Sequence, residues 1–159
     1  MAIKKIILVG ARLDGHAGVV LDTISNIGGY HVVGFIDNSP NIEGKFLADI
    51  PVLGSTDDIQ DMEIPADCIH IAIGENIARG RLCKILLGRG IVVESIIHPS
   101  SFVSGKATID SGCFVGAGAA INNGARIGSA VIVNTGAVVE HDNVIGHAAH
   151  LAPGSTTAG

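Results

Sequence analysis

The residues best suited to chemistry gather in the last third of the chain. His141 stands between Glu140 and Asp142, with His147 and His150 close behind. Imidazole is the side chain whose unperturbed proton affinity lies nearest neutrality, so a positioned histidine can relieve a nucleophile of its proton. A carboxylate beside it fixes one ring tautomer and favours the imidazolium that forms, a role open to either Asp142 or Glu140. A second group lies near the start, where Gly15 and His16 follow Gly10, and Asp37 comes later. His31, His70 and His98 have no such company in sequence and are expected to be structural. Cys68, Cys83 and Cys113 are odd in number and form no CxxC pair, so they read as packing residues in a reducing setting rather than disulfides, zinc ligands or nucleophiles.

The element that positions His141 is a repeat. A branched or long aliphatic returns every sixth position at Val103, Ile109, Val115, Ile121, Ile127, Val133, Val139, Ile145 and Leu151. A period of six suits neither a helix nor an alternating strand, so the segment must coil. Small residues such as Ala107, Cys113, Ala119, Ala125 and Ala137 come four positions after each aliphatic, and glycines mark the corners. The spacing predicts three hexads per turn, with 103, 121 and 139 stacked on one edge, 109, 127 and 145 on the next, and 115, 133 and 151 on the third. His141 follows the inward Val139 by two positions and sits next to a corner, so its ring should point outward. His147 has the same phase after Ile145 and reads as an outward polar residue. A purely structural solenoid is the plain alternative, since repeat architecture alone never fixes function.

The first ninety residues read as a doubly wound sheet. Strands are expected over 3–9, 31–36, 51–53, 68–73 and 92–97, with helices after Gly18 and over 75–87. In such sheets ligands bind at the carboxyl ends of the strands, so Gly15, His16, Asp37 and Gly74 should face one crevice. Gly10, Gly15 and Gly18 do not make GxGxxG, and no second mononucleotide half follows, which argues against a dinucleotide and for a smaller nucleotide-bearing ligand.

Composition narrows the classes further. The chain has 159 residues, 47% of them hydrophobic, with 22 glycines, 3% aromatics and a formal charge of −5. Ten Lys and Arg offer no basic surface for a nucleic-acid backbone. The apolar run after Lys5 is too short for a signal peptide or a bilayer span, so a cytoplasmic protein without membrane insertion is expected.

Taken in order, a strand and a glycine–histidine turn, a second strand ending VVGFID, a fourth ending IAIG, then HP and hexads containing NTGAVVEHDNVIGHAAH carry a resemblance over almost the whole chain. The sequence resembles the sialic acid O-acetyltransferase and bacillosamine N-acetyltransferase family of hexapeptide-repeat acyltransferases. The resemblance implies an α/β Rossmann-like parallel sheet at 1–98 that holds a sugar nucleotide, then a left-handed parallel β-helix at 99–159. It further implies a homotrimer that binds acetyl-coenzyme A between adjacent subunits and needs no metal. Carried over residue by residue, His141 matches the catalytic base, Asp142 its acidic support and His150 a coenzyme contact, while His16 and Asp37, with Gly15 and Gly74 beside them, fall at the acceptor site. The implied reaction is direct acetyl transfer to the amine of a nucleotide-activated sugar. A hydroxyl acceptor is the alternative within the class, and a non-catalytic sugar-nucleotide-binding, trimerising module is the alternative outside it. Family members continue for more coils, whereas this chain stops at Gly159, which implies a shortened form or an end covered by another chain.

Overall fold

In the segment Lys4–Val9 two lysines give way to four aliphatics, and Ile6, Ile7, Leu8 and Val9 are all fully buried. A strand buried on both faces belongs at the centre of a parallel sheet. The computed structural model describes residues 3–159 and puts β1 (Lys4–Val9) there, parallel to β2 (Tyr30–Ile36) on one side and β5 (Cys68–Ile71) on the other. A short antiparallel hairpin, β3 (Phe46–Leu47) and β4 (Ile50–Gly54), completes the order β3-β4-β2-β1-β5. Alternate residues of β1 face opposite ways. Ile6 and Leu8 pack with Ala17, Val20 and Ile24 of α1 (His16–Ile27), whereas Ile7 and Val9 pack with Leu82, Cys83 and Leu86 of α2 (Asn76–Gly88).

The expected fifth strand over 92–97 divides between the two halves of the molecule. Val93 makes a single bridge to Ile69, but β6 (Ile96–Ile97) pairs with β9 (Phe114–Val115) and opens the coil. The hexads follow as β7 (Phe102–Val103), β8 (Thr108–Ile109), β9, β10 (Ala120–Ile121), β11 (Arg126–Ile127), β12 (Ile132–Val133), β13 (Val138–Val139), β14 (Val144–Ile145) and β15 (His150–Leu151). They stack in parallel as β13-β10-β7, β14-β11-β8 and β15-β12-β9-β6, the three columns that the sixfold spacing predicts. Val115, Ile121, Ile127, Val133 and Val139 fill the prism together with Cys113, Ala119, Ala125 and Ala137, so the small residue of each hexad turns inward beside the anchor.

One face of the prism carries the α/β domain. The outward residues Ile96, Phe114 and Ile132 lie in register on successive coils and join the core built by α1 and β1. Among the described residues no helix is long and apolar enough to cross a membrane.

Candidate active site

The loop after β1 folds back over the sheet because of Gly10 and Asp37. Gly10 has φ +105°, and a β-carbon there would lie 2.9 Å from the Ala72 carbonyl oxygen. Asp37, at the end of β2, accepts from the Ala11 N–H through Oδ2 and from the Ser39 N–H through Oδ1, both at 2.7 Å. The carboxylate thus ties two loops together at the carboxyl edge of the sheet. Between them lies a crevice of about 440 Å³ whose wall includes Gly15, His16, Asp37 and Gly74, the four residues expected to share it. Arg12 also lines it, whereas Asp14 instead meets Arg12 in an exposed pair at 3.6 Å. Glu75 caps α2 at the rim, accepting from the Ile77 and Ala78 N–H groups. Those bonds, Ala78 first, hold its carboxyl below the usual range.

Beneath the crevice sits a residue that sequence reasoning passed over. Arg79 is only 1% exposed. Its Nε donates to the Ala130 carbonyl at 2.7 Å and Nη2 to that of Ala148 at 2.8 Å, while Nη1 reaches the Ile73 and Gly74 carbonyls at 3.0 and 2.8 Å. One guanidinium therefore joins the coil to the strand end that carries Gly74. Its planar fork suits several fixed acceptors, which an ammonium would not. The signal was present: Arg79 shares the helical face of Leu82, Cys83 and Leu86, a charge on an apolar stripe.

Three histidines surround this buried cation. Burial foremost, then His70, Arg79 and His150, push the His16 ring down to a pKa of about 3. His70, fully enclosed on β5, is pushed by burial to about 4, against the opposing hydrogen bond to the Glu94 carbonyl. His150 is lowered by burial and then by Arg79, and its Nε2 lies 3.0 Å from Asn134 Nδ2. All three are neutral near pH 7. His150 follows Ile132 in the outward column of the face that bears the α/β domain, so it shares a side of the molecule with the crevice.

His141 and Asp142 lie elsewhere. They occupy the corner between β13 and β14, where His141 Nδ1 is 3.0 Å from Asp142 Oδ2 and both side chains are exposed, at 61% and 75%. A carboxylate only accepts, so Nδ1 carries the proton and Nε2 offers a lone pair. Glu140 instead accepts from the His141 backbone N–H at 3.3 Å, which makes Asp142 the carboxylate that meets the ring. Asp142 adopts φ +59°, a left-handed corner that aspartate tolerates better than most residues. This corner joins the two faces that do not carry the α/β domain, so within one chain the prism separates His141 from the crevice. His147, expected to be simply outward, bonds to the Ser129 hydroxyl at 2.7 Å and packs over Gly80 of α2. Among the described residues no cluster of three or more His, Cys, Asp or Glu could hold a metal ion.

Comparison with known proteins gives the family and the fold. The PglD N-terminal domain family matches residues 5–86, more than half of the chain. The acetyltransferase domain of PglB from Neisseria gonorrhoeae FA1090, solved with acetyl coenzyme A, superposes with a TM-score of 0.86 at 30% identity, over 98% of this chain and 74% of that one. PerB from Caulobacter crescentus, solved with CoA and GDP-perosamine, gives 0.84 at 34% identity over 98% and 72%. WeeI from Acinetobacter baumannii AYE, at 23% identity and a TM-score of 0.74 over 95% and 70%, shares the fold. A search of curated proteins found no match.

Proposed function

Since this chain belongs to the PglD N-terminal domain family, and with it to the sugar N-acetyltransferases built on a hexapeptide-repeat left-handed β-helix, we propose that it transfers acetyl from acetyl-coenzyme A to the amine of a nucleotide-activated amino sugar. The observation that carries the reading is the His141–Asp142 pair, an exposed imidazole held in the Nδ1–H tautomer by a carboxylate at 3.0 Å. His141 Nε2 takes a proton from the acceptor amine as its lone pair attacks the thioester carbonyl. The tetrahedral intermediate collapses, the C–S bond breaks, and coenzyme thiolate leaves. Asp142 steadies the imidazolium, and such proton transfer contributes ~10²–10⁴-fold in rate.

The acceptor's nucleotide end lies in the crevice of Gly15, His16, Asp37 and Gly74, and His150 contacts the coenzyme at the neighbouring rim. Because the prism stands between His141 and its own chain's crevice, a working site takes its base from one subunit and its acceptor pocket from another. The exposed apolar residues Phe102 and Val144, on the two uncovered faces, support packing of prisms into a homotrimer.

The test is coenzyme thiol release with nucleotide-linked amino sugars, alongside the mass and alkali stability of the product. The expected result is an alkali-stable acetyl amide and a loss of about 10²-fold or more in kcat for His141→Ala, with acceptor affinity nearly unchanged. At low acceptor concentration, hybrid oligomers of His141→Ala and His16→Ala chains should turn over faster than either homogeneous variant. An alkali-labile ester would move the acceptor to a hydroxyl, and no thiol release above the His141→Ala background would end the enzymatic reading.

A further inference from the structure

The carboxylate that meets His141 leans over a glycine of the preceding coil. Asp142 sits one full turn beyond Gly124, and its backbone N–H donates to the Asn123 carbonyl at 3.0 Å, which fixes one corner against the other. A β-carbon on Gly124 would collide with Asp142 Oδ1 and lie 3.4 Å from its Cγ. Backbone conformation alone does not call for glycine there. Gly124 has φ +74°, while Ala130 and Ala148 hold left-handed corners of another column at +56° and +54°. An L residue therefore stands in such a corner twice in the same coil. Gly118 supplies the contrast: it has φ +65° at a corner of the same kind, and a β-carbon there would meet nothing within 4 Å.

The collision at Gly124 has one cheap relief. The Asp142 side chain is exposed and free to turn, whereas the backbones of the two corners are tied by the hydrogen bond from Asp142 to Asn123. The two oxygens of a carboxylate move as one rigid group, so turning Oδ1 away also swings Oδ2 off His141 Nδ1, which it meets at 3.0 Å. The ring then loses the acceptor that keeps its hydrogen on Nδ1 and its lone pair on Nε2. A methyl group at position 124 would thus be felt in the His141–Asp142 pair more than in the fold.

We propose that Gly124 is a positioning residue: by lacking a β-carbon it leaves the Asp142 carboxylate the space from which Oδ2 holds His141 in the Nδ1–H tautomer. The proposal rests on His141 being the base of the acetyl transfer. It extends the site by one coil, to a residue that acts through Asp142.

Gly124→Ala and Gly118→Ala carry comparable left-handed strain, but the first alone meets the carboxylate. In the full chain Gly124→Ala should lower kcat for coenzyme thiol release about tenfold or more, the worth of a hydrogen bond to a charged partner, with both KM values little changed. Gly118→Ala should keep the native kcat. In an Asp142→Ala background Gly124→Ala should have no further effect, as expected of a residue whose route to the base runs through Asp142. Long-range proton–nitrogen spectra of the ¹⁵N-labelled chain, which need no substrate, should show His141 as Nδ1–H in the native protein and in Gly118→Ala, and a loss of that preference in Gly124→Ala. Native kcat in folded Gly124→Ala, an equal loss in Gly118→Ala, or a further loss on top of Asp142→Ala would overturn the proposal. So would unfolding of Gly124→Ala under conditions where Gly118→Ala stays folded, since the relief would then lie in the backbone instead of the carboxylate. Should His141→Ala retain full activity, the base reading fails, while the spectra still judge whether Gly124 sets the tautomer of the ring.

Discussion

Replacing Arg79 with Met would remove a side chain that ties the α/β domain to the coil through buried hydrogen bonds. The carbonyls of Ala130 and Ala148 are buried where Arg79 meets them, and both residues sit at coil corners with φ near the left-handed region, +56° and +54°. Methionine fills the stem's space but donates nothing, so two buried carbonyl oxygens lose their partners. Each such loss costs about 1–3 kcal/mol. The relief of leaving a guanidinium in water offsets part of this, but the acceptors remain in place, so the balance stays unfavourable at about 3 kcal/mol. Arg79→Lys should cost less, because an ammonium can still satisfy some of the carbonyls but cannot span them in one plane. Urea unfolding at one fixed protein concentration reads this directly as a lower midpoint with unchanged slope, and fixing the concentration keeps assembly from contributing. The His150 titration midpoint should rise in the same variant, since Arg79 is one of the groups that lower it. A loss below about 1 kcal/mol in Arg79→Met would show that water replaces the guanidinium at no cost, and the tie between domains would have to be sought elsewhere.

Two further outcomes concern the packing of the coils and the buried histidines. A β-carbon at Gly116 would lie 2.7 Å from the Thr135 backbone nitrogen in the next coil, so Gly116→Ala should destabilise by about 1–3 kcal/mol in thermal unfolding, and a neutral result would mean the coils separate freely. His16 and His70 stay neutral when folded but take a proton near pH 6.5 once unfolded, so the unfolded chain binds more protons from pH 6.5 down to about 4 for His70 and about 3 for His16. Stability is therefore complete above that window and falls as pH drops through it, by on the order of 3 kcal/mol from His70 alone. Urea midpoints against pH should show this slope and His70→Leu should flatten it; equal slopes would refute the assignment.

Much of the architecture was legible because it repeats. Nine aliphatics at one spacing fix both the coil and its three stacked columns, and the strand pairings follow that phase throughout. The crevice was legible for a different reason: a doubly wound sheet must gather its loops at one edge, so Gly15, His16, Asp37 and Gly74 meet whatever the details. The strand over 92–97 misled because a β-rich run does not say which sheet it joins, and Ile96 finds its partner in Phe114 rather than in β5. Arg79 was missed because its importance arises from a contact across a long separation, to Ala148. Nothing local to the residue states that contact, although a charge on the apolar face of α2 hinted at it.

The outward residues of the coil contain a second rhythm that ties fold to function. Ile96, Phe114 and Ile132 recur every 18 positions, one full turn of three hexads, and all three are bulky, apolar and buried against the α/β domain. A face whose outward positions are apolar turn after turn must be covered, and its cover is the domain that holds the crevice. The next member of the column is His150, where the apolar run ends and a polar ring takes over beside Arg79. Even at this level α2 still reaches the coil, through Arg79 on the carbonyl of Ala148 and Gly80 against His147 and Ala148. On the opposite corner His141 occupies the same level of the prism, since β13 to β15 make one turn. Two prisms side by side would therefore bring the His141 of one to the height of the His150 of the other without any change in either fold.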